Sequence, residues 1–217
     1  MRNPDSCGNP SKRGRYAIIA FFLLMVSGCL HGPVIEKIHY YAVTPIITVE
    51  PVLCTGLTLG IRPLFSTHTY GTPMAYLDDN HQLGYQSREE WAESPSHVVT
   101  RAIQDAIAAS QQFADVGNAA DMTRPDLLLT GELRIYQENR TVEPSMAEVE
   151  IRLELRQATE PGSLWAETLR ETEPMKEATP SALAEAMTAN IGRIAERVAI
   201  KLKTLSFPSV ERLEEKK

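Results

Sequence analysis

Ten residues constrain this chain more than any other feature. From Ala147 to Arg156 the side chains alternate without a break. Val149, Ile151, Leu153 and Leu155 fall on one side, and Glu148, Glu150, Arg152, Glu154 and Arg156 on the other. A period of two is the signature of a strand, and it assigns one face to the interior and one to water. A sheet that is dry on one side only favours antiparallel pairing and needs a cover for its apolar face. The end of the chain supplies one. Leu183, Met187, Ile191, Ile194, Val198, Leu202 and Leu205 recur every three or four residues behind a Thr179-Pro180 cap, which predicts a one-sided helix over about 180–204.

The rest of the chain fits the same plan. Ile35 to Val43 is β-branched and aromatic and reads as a first strand, broken by Thr44-Pro45. Leu57 to Pro63 alternates and reads as a second. Leu64 to Asn80 is expected to be a long loop, followed by a short strand over 81–88 that ends near Trp91. Ser94-Pro95 caps a helix whose Val99, Ile103, Ala106, Ile107, Ser110 and Phe113 share one face, with an end near Gly117-Asn118. Asp126 to Glu138 is a long strand with Leu127, Leu129, Gly131, Leu133 and Ile135 on one side. Pro161-Gly162 turns the chain into a last strand over 164–171. Strands, helix, three strands and helix together predict an α+β domain: two layers, a mostly antiparallel sheet with two amphipathic helices on one face.

The N-terminus is a different kind of segment. Lys12 to Arg15 is basic, and an unbroken apolar run follows from Tyr16 to Val26. Its 11 residues fall short of the roughly 20 a membrane-spanning helix requires, so the run reads as the hydrophobic centre of a signal peptide. Val26-Ser27-Gly28-Cys29 resembles the lipobox of bacterial lipoproteins. That resemblance implies cleavage before Cys29 and a diacylglyceryl and N-acyl lipid on its sulfur. Each buried methylene contributes about 0.8 kcal/mol, so several acyl chains hold a protein stably on a membrane. Leu30 stands where an Asp favours inner-membrane retention, which points to the outer membrane. The expected divisions are a signal peptide over 1–28, a tether over 29–34, the α+β domain over 35–205 and a flexible tail over 206–217.

Charge excludes one class of partner. The chain has 22 basic and 28 acidic residues. Residues 1–28 hold four bases (Arg2, Lys12, Arg13, Arg15) and one acid (Asp5), so what remains has 18 and 27, a net charge of −9. A surface that acidic argues against nucleic acid as a partner.

No catalytic constellation can be assembled. His31, His39, His68, His81 and His97 show no H-x-x-x-H or H-E-x-x-H spacing, and no nucleophile elbow, phosphate loop or C-x-x-C is present. No enzyme activity, metal or cofactor is therefore expected. With Cys7 in the leader and Cys29 acylated, Cys54 would be the last thiol, which rules out an internal disulfide. The series Glu148, Glu150 and Glu154 reads as a solvated strand face, with an acidic docking surface as the alternative. The segment from Phe65 to Leu77 is the exception. It concentrates aromatic and apolar groups where no regular structure is evident, and Tyr70, Met74, Tyr76 and Leu77 are the candidate partner contacts. Folding back onto the core is the competing explanation.

The order of motifs resembles the ABC-type transport auxiliary lipoproteins, the family of the lipoprotein partner of the paraquat-inducible MCE system. The matching stretches are Tyr40-Tyr41, LGIRPL (59–64), MAYLDDN (74–80), LGYQSREEWAESP (83–95), PDLLLTGEL (125–133), EVEIRLELRQA (148–158), SLWAETL (163–169) and the closing helix. Ser94 before Pro95 and Glu90 before Trp91 depart from the family's approach to its helix. The resemblance implies a non-enzymatic lipoprotein that meets an MCE-type protein and ABC transporter components, moves phospholipid or other hydrophobic cargo, and self-associates as a homo-oligomer. The alternatives are an outer-membrane lipoprotein that activates a cell-wall synthase or another envelope assembly, and a periplasmic hydrolase, which lacks a nucleophile and base.

Overall fold

The computed structural model describes residues 36–207. The signal peptide, Cys29, the tether and the tail beyond 207 lie outside the described residues.

Three long strands form the centre of the sheet. Strand β7 (Leu127–Asn139) pairs antiparallel with β8 (Met146–Gln157), which pairs antiparallel with β9 (Ser163–Pro174). The other edge of β7 takes three short strands in turn, all parallel to it: β2 (Thr58–Ile61), β3 (Phe65–Ser66) and β4 (Pro73–Leu77). Strand β6 (Asp115–Asn118) pairs parallel with β2. Strand β5 (Leu83–Trp91) pairs antiparallel with β4, and β1 (His39–Tyr41) pairs parallel with β5. The nine-stranded sheet is therefore mixed. Antiparallel order holds for the long strands; β2, β3 and β4 are parallel to β7 because the chain over 58–77 runs along one edge of it in the same direction, meeting residues 127–129, 132–133 and 138–139 in turn.

The helices cover one face as expected. Helix α1 (Pro95–Ala109) buries Val98, Val99, Ala102, Ile103, Ala106 and Ile107. Helix α2 (Pro180–Lys203) buries Leu183, Met187, Ile191, Ile194, Val198 and Leu202 completely. Thr179 caps α2, accepting from the Ala182 N–H at 3.2 Å. The equivalent Ser94 stands at the start of α1 but makes no such bond, its hydroxyl meeting Ser96 Oγ instead. These stripes pack on Val149, Ile151, Leu153 and Leu155, all fully buried. Each such side chain contributes roughly 1.5–3 kcal/mol on leaving water.

Four details depart from the sequence reading. Helix α1 stops at Ala109, not near 117, because Gln111 adopts a left-handed φ of 55° and 115–118 becomes strand β6. The expected loop over 64–80 contains β3, a 3-10 turn at His68–Tyr70 and β4. The register of β7 shifts between Leu133 and Ile135, so Arg134 is an extra residue; this β-bulge turns Ile135 outward and puts Tyr136 in the core. Tyr136 meets Trp91 edge to face, with centroids 5.2 Å apart. Finally, the start of the expected tail is docked: Phe207 packs edge to face on Phe113 at 5.6 Å.

An extended strap runs from Val43 to Gly56 over the helical layer. Val43, Ile47 and Val49 pack on the core. The Thr48 N–H donates to Glu196 Oε1, Val52 N–H to Ser110 O, and Thr55 N–H to Gln112 O. Gly192 on α2 makes the crossing possible, since a Cβ there would lie 3.1 Å from Ile46 O.

Candidate functional site

The face of the sheet away from the helices is built around the β4–β5 hairpin. Register assigns sides here. Tyr76 pairs with Glu138, and Glu138 with Ala147, so Met74, Tyr76 and Glu138 point toward the helix side. Ala75, Leu77, Leu83 and Tyr85 point the other way, with Gln137, Asn139 and Glu148.

The four candidate contacts divide accordingly. Met74 is fully buried and belongs to the core. Tyr70 is also buried: its turn lies across the outer face, and its hydroxyl donates to Gln137 Oε1 at 2.8 Å. Tyr76 and Leu77 are half-buried. Neither Met74 nor Tyr70 offers surface to a partner in this conformation; both fold back onto the domain. The large hydrophobic side chains of this region that are exposed are Phe65, at 65%, and Tyr85, at 47%, with Leu83 beside them on the same face.

The turn also changes the meaning of the acidic strand face. Glu148 is buried, not solvated, because the Tyr70 turn covers that end of β8. Its Oε1 accepts from Asn139 Nδ2 at 2.9 Å and lies 3.2 Å from Arg170 Nη2. Arg152, in the middle of the strand, remains exposed as the alternation requires, and Glu150, Glu154 and Arg156 are half-buried. Burial, then Tyr85 and the Glu148 and Glu150 carboxylates, raise the Tyr70 phenol above its ordinary value, so it keeps its proton and donates.

Tyr76 is held as part of the scaffold. Arg140 sits over its ring, 3.8 Å from the centroid, and donates to Glu138 Oε2 at 2.7 Å. Gly84 leaves room beneath it; a Cβ there would fall 2.5 Å from the ring. Glu138 is 1% exposed, and the same Oε2 also accepts from Gln86 Nε2 at 3.1 Å, while its Oε1 has no partner. The ion pair raises the Arg140 guanidinium above its usual value. Arg140 is partly exposed, so solvent weakens the pair, yet removing it leaves a buried carboxylate uncompensated. Arg140→Ala is expected to lower unfolding free energy by about 2 kcal/mol, and Glu138→Gln in that background to restore part of it. Urea unfolding of the two single variants and the double variant measures this; additive losses would contradict the coupling.

At the far edge, His39 Nδ1 lies 3.2 Å from Glu89 Oε1 and ties β1 to β5. The hydrogen bond from His39 holds the Glu89 carboxyl below its usual range. Trp91 is core. Cys54 is exposed and unpaired. Among the described residues no group of three or more His, Cys, Asp or Glu is arranged to hold a metal ion, and no helix is long and apolar enough to cross a membrane.

Residues 71–199 match the family described as the ABC-type transport auxiliary lipoprotein component. No curated protein sequence matches the chain at a meaningful level. Among solved structures the chain is similar to protein XCC0632 from Xanthomonas campestris, of the family DUF330, at 16% identity and a TM-score of 0.66, over 74% of this chain and 92% of that one. An uncharacterized protein aligns at 9% identity and a TM-score of 0.58, over 77% of this chain and 99% of that one. The PelC dodecamer from Paraburkholderia phytofirmans aligns at 14% identity over 70% of this chain and 94% of that one, but its TM-score of 0.42 is too low to carry an argument. At these identities the structures establish the shared fold alone.

Proposed function

Because this chain belongs to the family of ABC-type transport auxiliary lipoprotein components, we propose that it is a lipid-anchored periplasmic adaptor of an ABC/MCE-type envelope transport system. It acts by docking, and the cargo is phospholipid or another hydrophobic molecule. The observation that carries the reading is the match over 71–199, which spans the β4–β5 hairpin, α1, all three long strands and most of α2. In this reading Cys29 carries the lipid, Leu30 directs the protein to the outer membrane, and copies of the chain associate with one another.

The partner is an MCE-type protein connected to the transporter, and it meets the face of the sheet opposite the helices. Phe65, Leu83 and Tyr85 supply exposed apolar and aromatic surface there on rigid strands, and aromatic groups on ordered elements make strong interface anchors. Tyr76 is a poor probe of this contact, since its ring is structural. Phe65 and Tyr85 are better ones.

The test is a Phe65→Glu, Tyr85→Glu double variant. It is expected to keep its thermal unfolding midpoint within a few degrees and to lose most co-purification with the MCE-type protein. Unchanged co-purification would refute this docking face. The cell-wall-synthase alternative has no specific observation in its favour.

A further inference from the structure

At the other end of β7 from the β4–β5 hairpin, the same outer face holds a cleft of about 900 Å³. One wall is the 119–125 segment, which leaves β6 and folds back over β2. Gly60 permits this, because a Cβ there would lie 2.9 Å from Pro125 Cγ and 3.0 Å from Ala119 Cβ. Both ends of the wall are fixed. The Ala119 N–H donates to Ile61 O at 2.9 Å, and Asp126 Oδ2 accepts from the Thr58 N–H and hydroxyl at 2.9 and 2.8 Å. The β8–β9 turn forms the opposite wall through Ala158, Thr159 and Glu160.

The lining has two chemistries. Pro63, Met122, Pro125 and Leu128 make an apolar floor. Leu128 points to the outward side of β7 yet is 7% exposed, because the 119–125 segment shelters it. Arg62 and Arg124 stand exposed at the rim. Neither side chain has a carboxylate partner among the described residues, a state they share with Arg152 and Arg156, whereas Arg101, Arg134, Arg140, Arg170, Arg193 and Arg197 each meet a glutamate. The two acids of the lining are engaged: Asp126 with Thr58, and Glu160 within the chain. In a protein with more acids than bases, two unengaged guanidiniums over an apolar floor match one kind of ligand.

We infer that this cleft binds a small amphipathic anion, with its acidic group between Arg62 and Arg124 and a single apolar chain over Met122 and Leu128. Guanidinium groups donate charge-assisted hydrogen bonds to phosphate or carboxylate. The volume lies within the roughly 300–1,000 Å³ of ligand pockets, enough for one acyl chain and a compact head. The inference does not rest on the docking reading, since cleft and hairpin are at opposite ends of β7 and can fail separately.

The experiment uses the full chain in phosphatidylcholine vesicles and a photoreactive lysophosphatidate. Cross-links are located by mass spectrometry. Saturable labelling within 118–128 is expected, competed by unlabelled lysophosphatidate and only weakly by lysophosphatidylcholine or inorganic phosphate. Arg62→Gln with Arg124→Gln should weaken apparent affinity by roughly tenfold or more, as should Met122→Glu alone. All three positions are exposed or half-buried at the surface, and the unfolding midpoint of each variant verifies its fold. Labelling without preference for 118–128, equal competition by the zwitterionic lipid or by phosphate, or unchanged affinity in the arginine variant would overturn the inference.

Discussion

A Gly131→Val chain is expected to unfold at a much lower urea concentration than the parent. Gly131 lies mid-way along β7, paired with Leu153. A Cβ at that position would stand 2.6 Å from Arg152 O and 2.6 Å from Leu153 Cδ2. The first of these is backbone in the longest strand pairing of the fold, so it cannot move aside without opening the β7–β8 ladder. Overpacking of a core costs about 1–3 kcal/mol, and valine, with three added carbons, belongs at the top of that range or above it. Against a total stability of roughly 5–15 kcal/mol, that is a large share. Gly117→Ala in β6 is the matched control. Its Cβ would meet Met122 at 3.7 Å, an ordinary contact, and its midpoint should barely move. Equal midpoints for the Gly131→Val variant and the parent would show that the two strands do not approach this closely.

Cys29→Ala is expected to move the protein almost completely from the membrane to the soluble fraction. The described residues contain no helix that could replace a lipid anchor. One acyl chain holds a protein marginally and several hold it stably, because each methylene contributes about 0.8 kcal/mol. Incorporation of labelled palmitate into the parent and not into the variant checks the chemistry; fractionation checks the consequence. A variant that stays in the membrane fraction would mean that another element anchors it. The folded domain should be unaffected, since the residues that form its core and pack against it all lie within 41–207.

Local periodicity made part of this architecture legible. The alternation over 147–156 placed Val149, Ile151, Leu153 and Leu155 in the core, and the spacing from Leu183 to Leu202 placed the closing helix against them. Thr179 was legible as a cap because its bond to Ala182 depends on neighbours in sequence alone. Of the short strands, β1 and β2 were legible, whereas β3, β4 and β6 were not. Two-residue β3 and four-residue β6 carry no period of their own and exist because β7 and β2 present open edges to them. The β7 bulge was equally hidden, and it exchanges Ile135 for Tyr136 in the core.

Which side chains of the candidate docking region are buried was not legible in the sequence. A concentration of aromatic residues between 65 and 77 did mark an unusual segment, but sequence could not distinguish anchors from surface. Tyr70 is drawn inward by Gln137 across 67 residues, and Tyr76 by Arg140 and Gly84. The burial of Glu148 follows from that same turn. Exposed Phe65 and Tyr85 emerge only once the register of β3, β4 and β5 is known. The outer-face cleft needs two distant segments, 119–125 and 158–160, brought together over Leu128. No window of sequence contains it.

The adaptor reading is tested most directly by isolating the palmitate-labelled protein from membranes under mild detergent and identifying what comes with it. The account predicts an MCE-type protein and components of an ABC transporter in stoichiometric amounts, lost from the Phe65→Glu, Tyr85→Glu variant. Recovery of the labelled protein with a cell-wall synthase, and without any transporter component, would contradict it.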